Sequence, residues 1–390
     1  MRPLPLLGYG FRPFFLAAGV AAISLIPWWV GSLTLGVPLP AAWPASLWHA
    51  HEMLFGFIEA ALAGFMLTAV PSWTGQRGFA GWPLALLAGV WLLGRLFVAT
   101  ANHWPLAVYA AADLAFLPAL AAFLMPPLIR SRNRNTRLLL VLTALWMVNA
   151  TFYWALAHAD PGLARGALLA GVNLVLLLVT IIGGRIVPAF TSAALRQQGR
   201  DATLHTWWVL DAAAVTAMLA VLLVDIFLPQ GRVAGGVALV AAAAQGVRFS
   251  QWHSLRTLRL PIVWILHLAY AWLPIGLALK AMALLTGWGT GLSWMHALTI
   301  GAAATMIFAV MTRASLGHTG RPLIVRPTVV LAYALLTAAT LVRVLGPGTS
   351  LLSYPQVITL AAILWTGAFA LFLFVYAPIL LRPRADGKPG

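Results

Sequence analysis

The sequence predicts an all-α, polytopic membrane bundle of about twelve transmembrane helices. Three observations predict it. Hydrophobic residues fill 62% of the 390 positions and charged residues only 8%, against about 25% charged in an ordinary soluble domain. The apolar residues come in runs long enough to cross a bilayer, which takes about 20 residues per helix. The basic residues gather in the short connections between those runs. Twelve crossings consume about 240 residues. No large extramembrane domain fits in the remainder, so 1–390 is expected to be a single transmembrane domain.

In chain order the spans are expected at 14–37, 49–70, 82–100, 105–125, 137–157, 163–186, 207–228, 233–249, 262–285, 294–312, 328–345 and 357–380. The connections are brief and punctuated by proline, which cannot continue a helix without losing a hydrogen bond. Pro38 and Pro40 follow the first span, and Pro71 follows the second. Pro105 opens the fourth, Pro126 and Pro127 follow it, Pro161 precedes the sixth, and Pro229 and Pro347 follow the seventh and eleventh. No small-residue cleavage site follows the first apolar run, so no cleaved signal is expected.

The formal charge is +16, from 24 Lys and Arg against 8 Asp and Glu. On a soluble chain such a charge points to nucleic acid. Here topology explains it, and no nucleic acid partner is expected. Placing both termini in the cytoplasm puts 19 of the 24 basic residues on that side, with Arg165, Arg232 and Arg343 outside and Arg95 and Lys280 within spans. That bias satisfies the positive-inside rule. There is no cysteine, which excludes disulfides, iron–sulfur clusters and thiolate-ligated haem or zinc. No phosphate-binding loop, GxSxG or dinucleotide fingerprint is present.

Spans two, six and ten share a faint repeat. Aligning His51 with His296 superimposes Gly56 on Gly301, Met66 on Met311 and Thr74-Gly75 on Thr319-Gly320. Offsets of 117 and 128 residues give one unit per four helices, hence three four-helix units.

A polar group inside a bilayer is costly and marks function by default. The densest group is Trp48-His49-Ala50-His51-Glu52, at the outer end of span two. Residues two apart on a helix point to opposite sides, so His49 and His51 are expected to serve different sites or different shells. Glu52 lies on the face of His49, and Glu59 continues that face two turns deeper. A carboxylate there orients an imidazole or relays protons, which makes Glu52 and Glu59 the proton-path candidates. His296 heads span ten at the depth of His51. Two histidines at equal depth on different helices suit axial ligation of haem, with Gly56 and Gly301 allowing either a flat macrocycle or close helix contact. His267 is a metal ligand or part of the bundle's hydrogen bonding. His318, Arg313 and Arg185 lie at cytoplasmic ends, as anion or propionate contacts or as plain turns and topology anchors. His103, His158, His205 and His253 read as solvated, and Lys280 as snorkelling to the interface.

Phe11-Arg12-Pro13-Phe14-Phe15, the run His49–Gly56, Gly64–Gly75, Gly184–Thr191, Leu266–Trp272 and the stretch from His296 to Pro322 together resemble the NnrS family. Ser72 and Ala194 stand where many relatives carry Asn. The resemblance implies a bacterial inner-membrane, multi-pass protein that binds haem and copper and is linked to nitric oxide and nitrosative stress. Which histidine takes which metal stays open. The residues favour haem on His51 and His296, and copper on His49 with another group or on His267. A second, architectural resemblance is to the catalytic subunit of the haem–copper oxidases, which include nitric oxide reductases. Spans six and seven lack the three histidines of that copper site.

Three functions follow as expectations. The first is a haem- and copper-binding protein acting in nitric oxide response or resistance, with the lipid bilayer and nitric oxide or a related small gas as partners. The second is a membrane redox enzyme of nitric oxide reductase or quinol-oxidase type, with a quinone or cytochrome as electron donor. The third is a secondary transporter of a metal or small solute, which repeats and midplane carboxylates permit.

Overall fold

The computed structural model describes residues 4–201, 203–204, 207–289 and 291–388, the side chains of 291 and 292 excepted. It is 81% helix and has no strand among the described residues. Among the described residues twelve helices are long and apolar enough to cross a membrane. We label them α1 (Phe11–Thr34), α2 (Ala45–Thr74), α3 (Trp82–Ala99), α4 (Leu106–Arg130), α5 (Arg134–Ala157) and α6 (Pro161–Gln197). They continue as α7 (Trp208–Phe227), α8 (Arg232–Ser250), α9 (Pro261–Thr286), α10 (Ser293–Gly317), α11 (Pro327–Gly348) and α12 (Tyr354–Leu381).

Helix is the outcome because a chain in hydrocarbon must satisfy each backbone polar group internally. The ends obey ordinary capping. Gly75 and Gly287 close α2 and α9 in the left-handed conformation, at φ 66° and 73°, where a Cβ would be strained. Pro261 and Pro327 sit in the first turns of α9 and α11, where a missing N–H costs nothing. The fully buried Arg12 donates through Nη1 to the Leu380 and Arg382 carbonyls at 2.9 and 2.7 Å, satisfying the C-terminal end of α12.

Three spans carry a π-helical stretch: Glu52–Ile58 in α2, Val179–Gly183 in α6 and Ala297–Ala304 in α10. These are the helices of the suspected repeat. The offset that aligns His51 with His296 carries 52–58 onto 297–303, inside the α10 stretch. The α6 stretch lies deeper, corresponding to 62–66 of α2. Wide turns loosen carbonyls from the α ladder, and side chains take them up. Arg248 Nη1 donates to the Thr180 carbonyl at 2.7 Å, and Thr305 Oγ1 to that of Ile300 at 2.9 Å. The sequence reading ends the sixth span at 186, but α6 runs on to Gln197. Pro188 lies inside it, in the α-helix that resumes at Gly184 after the π stretch.

The residues group into two compact units. Unit one is Met1–Gly171, Met311–Leu323 and Phe369–Gly390, and unit two is Val172–Val310 and Ile324–Ala368. In unit one α1 packs along α2, where Gly64 admits the ring of Phe15. In unit two α9 packs on α8 and on the π stretch of α10, with Gly276 admitting Leu298 and Gly301 admitting Trp272.

Candidate functional site

The site of unit one grows from the turn at which α2 widens. His51 is the last residue before the π stretch and is fully buried. Its Nδ1 lies 3.0 Å from Glu52 Oε1, and its Nε2 lies 3.1 Å from Asn149 Oδ1 and 3.3 Å from Asp113 Oδ2. Arg95 of α3 donates through Nη1 to Glu52 Oε1 at 2.6 Å and pairs through Nη2 with Asp113 Oδ1. Asp113 Oδ2 also accepts from Asn149 Nδ2 at 2.8 Å and from the Tyr153 hydroxyl at 2.9 Å. The ring of Phe152 stacks on the imidazole at 4.7 Å, and Trp43, Phe55 and Tyr153 wall it in.

Both ring nitrogens of His51 are thus within hydrogen-bond reach of polar side chains, and the Arg95 guanidinium is the cation shared by Glu52 and Asp113. Glu59, 4% exposed on the same helix, stands outside this exchange: neither carboxyl oxygen has a hydrogen-bond partner.

Unit two holds two further buried polar groups. Lys280 of α9 pairs with Asp225 of α7, which also accepts from Asn173 Nδ2 of α6 at 2.8 Å, and the ammonium lies 4.9 Å from the Trp294 ring centre. Lys280 is 2% exposed, so it does not snorkel. A buried carboxylate on α7, two spans back in the chain, gives its charge a partner within the bundle. Arg248 of α8 binds Asp211 through Nε at 2.7 Å and the Tyr270 hydroxyl at 3.0 Å. Tyr270 in turn donates to Gln245 at 2.6 Å.

The other sequence-predicted residues are dispersed. His267 is buried between two hydroxyls. Thr191 Oγ1 gives its proton to the Val187 carbonyl, so it accepts from His267 Nε2 at 2.7 Å, and Ser254 donates to Nδ1 at 2.9 Å. His267 thus belongs to the hydrogen bonding of the bundle, one of the two roles open to it. His49 is half-buried and stacks on Trp29 at 4.1 Å. Glu52 pairs with His51 rather than with His49. His296 is half-buried at the head of the α10 π stretch, in the other unit from His51. A Cβ on Gly56 would meet Leu25 at 3.0 Å and Glu52 Oε2 at 3.3 Å, and one on Gly301 would meet Trp272 Cγ at 2.6 Å. Both glycines therefore serve close packing. Arg185 is exposed and Arg313 half-buried. His318 is half-buried, its ring 6.0 Å from that of Tyr9 and 5.7 Å from that of Phe11. His103, His158 and His253 are exposed, and His205 lies outside the described residues.

As they stand, both ring nitrogens of His51 and of His267 are engaged by protein partners, and a metal on either ring would have to displace one of them. Among the described residues no three His, Asp or Glu side chains converge to hold a metal ion. Arg95, Asp113, Asn149 and Tyr153 were not read as partners of His51 from sequence. The available signal was one basic and one acidic residue in the same half of consecutive antiparallel spans.

The chain matches no curated protein. The family model described as NnrS protein matches residues 5–384, nearly its whole length. The chain is a nitric-oxide-related membrane protein and belongs to the NnrS family.

Proposed function

We propose that this chain is a haem- and copper-binding protein of the bacterial inner membrane that acts in the response to nitric oxide. Family membership over 5–384 supports the reading. So does an apolar bundle, into which a small uncharged gas partitions. The observation that carries it is the buried cluster of His51, Glu52, Arg95 and Asp113, since ionisable groups held inside a membrane are retained for function. Both ring nitrogens of His51 face partners within that cluster. We therefore take His49 in unit one and His296 in unit two as candidate nitrogen donors, each in a site of its own unit. Bound haem would supply an iron that takes the gas.

Optical spectra of the detergent-purified protein test this, taken oxidised, reduced, and reduced with nitric oxide, alongside haem and copper content. A Soret band that shifts with the gas and persists in His267→Ala is the expected result, and its loss in His49→Ala or in His296→Ala tells which unit holds the haem. Absence of haem and copper after expression with adequate supply overturns the reading in favour of a transporter. The titratable cluster also favours a second reading, a redox enzyme drawing electrons from a quinone or cytochrome. Sustained nitric oxide consumption with a reductant separates that from gas binding alone.

A further inference from the structure

We infer that Glu59 is a proton-binding site of unit one, its carboxyl carrying an exchangeable proton within the spanning part of α2. Three observations converge on it. The side chain is 4% exposed, and both oxygens lack a hydrogen-bond donor. An ionised carboxylate with no donor is among the costliest groups to bury, while a protonated one is far cheaper. The neighbouring cation is already taken: Arg95 pairs with both Glu52 and Asp113. An ionised Glu59 would add an uncompensated negative charge in hydrocarbon. Finally, its helix is π-wound from Glu52 to Ile58, immediately before Glu59, a feature common at functional sites.

The groups acting on Glu59 come from each side. Glu52 is on its own helix, Arg95 acts from α3, and Tyr153 from α5. His51 and Asp113 connect to these through Glu52 and Arg95. Helix α1 and residues 116–130 of α4 also pack on α2. Their only charged residues are Arg12 and Arg130, at their loop ends. Glu59 is thus the member of the group that gains or loses a proton without breaking a hydrogen bond. The site takes one proton onto a carboxylate oxygen and releases it from the same atom.

Infrared spectroscopy of the full-length protein in detergent, in H2O and in D2O, tests the assignment. At neutral pH the wild type should show the C=O stretch of a buried protonated carboxyl, shifted in D2O. Glu59→Gln should abolish it, and Glu59→Asp should keep it at a displaced frequency. A wild-type spectrum without the band at neutral pH overturns the inference. So does a band that Glu59→Gln leaves intact or, should that variant not fold, one that Glu59→Asp leaves at its original frequency. Haem content plays no part in this readout, so failure here is distinct from failure of the function proposed above.

Discussion

Arg95 of α3 holds Glu52 of α2 at 2.6 Å while its other amino group pairs with Asp113 of α4. One guanidinium thereby ties three spans of unit one together and positions both carboxylates on His51. Removing one partner of a buried pair leaves an uncompensated charge, at about 3–5 kcal/mol. Arg95→Met should cost that much in unfolding of the detergent-solubilised protein. Arg95→Met with Glu52→Gln removes one of the two stranded carboxylates and should recover part of the loss. Equal damage from the single and double variants would show that the guanidinium acts through packing.

The twelve spans were legible because a bilayer imposes one rule on length and polarity, and every expected span has its helix. The place of Arg95 within a span was legible too. Partnership was not. Pairing Glu52 with His49 followed from regular α spacing, whereas the chain leaves α geometry at Glu52 and the carboxylate meets His51. Periodicity in an apolar sequence carries no mark of a π turn. Asp225 went unnoticed beside Lys280 because their spans are far apart in sequence, and charge complementarity alone does not choose among many helix pairs.

The Lys280–Asp225 pair permits a sharper cycle, since Asn173 and Trp294 are its chief other neighbours. Lys280→Met should destabilise by about 3–5 kcal/mol, because it strands a carboxylate that one amide alone solvates. Lys280→Met with Asp225→Leu should return close to wild type. A thermal-unfolding cycle with no coupling between the two sites would place the pair's energy in packing instead.

Gly301 and Gly183 make contrasting predictions from the same helix–helix logic. A methyl group on Gly301 would fall 2.6 Å from Trp272 Cγ, whereas on Gly183 it would meet Tyr270 Cδ2 at 3.3 Å. The indole cannot retreat within a packed bundle, so Gly301→Ala should cost about 1–3 kcal/mol, as overpacking does. Gly183→Ala should cost clearly less. Adding Trp272→Leu should relieve the first and not the second. A Gly301→Ala variant as stable as wild type would mean that α9 and α10 shift apart freely.

At the loop end of unit one the C-terminal tail lies across His318. Arg384 Nη1 donates to the His318 carbonyl at 2.9 Å, and the Ala385 N–H to that of Thr319 at 3.0 Å. Burial against Tyr9 and Phe11, then the charge of Arg384, hold the imidazole below its usual pKa, which is about 6.5. The undocked segment therefore takes up a proton first. Docking is fully stable above about pH 6.5 and weakens as pH falls below that value. No neighbour offsets this in that window. Burial pushes the Tyr9 hydroxyl up, so it stays neutral, and Arg384 holds the Asp386 carboxyl down, so it stays ionised. Because the chain has no cysteine, Lys388→Cys carries a single spin label at the end of the tail. Its mobility should rise between pH 7.5 and 5.5, about one unit either side of the free histidine value, and His318→Phe should flatten the response. A pH-independent label in the His318 protein would mean that the backbone hydrogen bonds alone hold the tail.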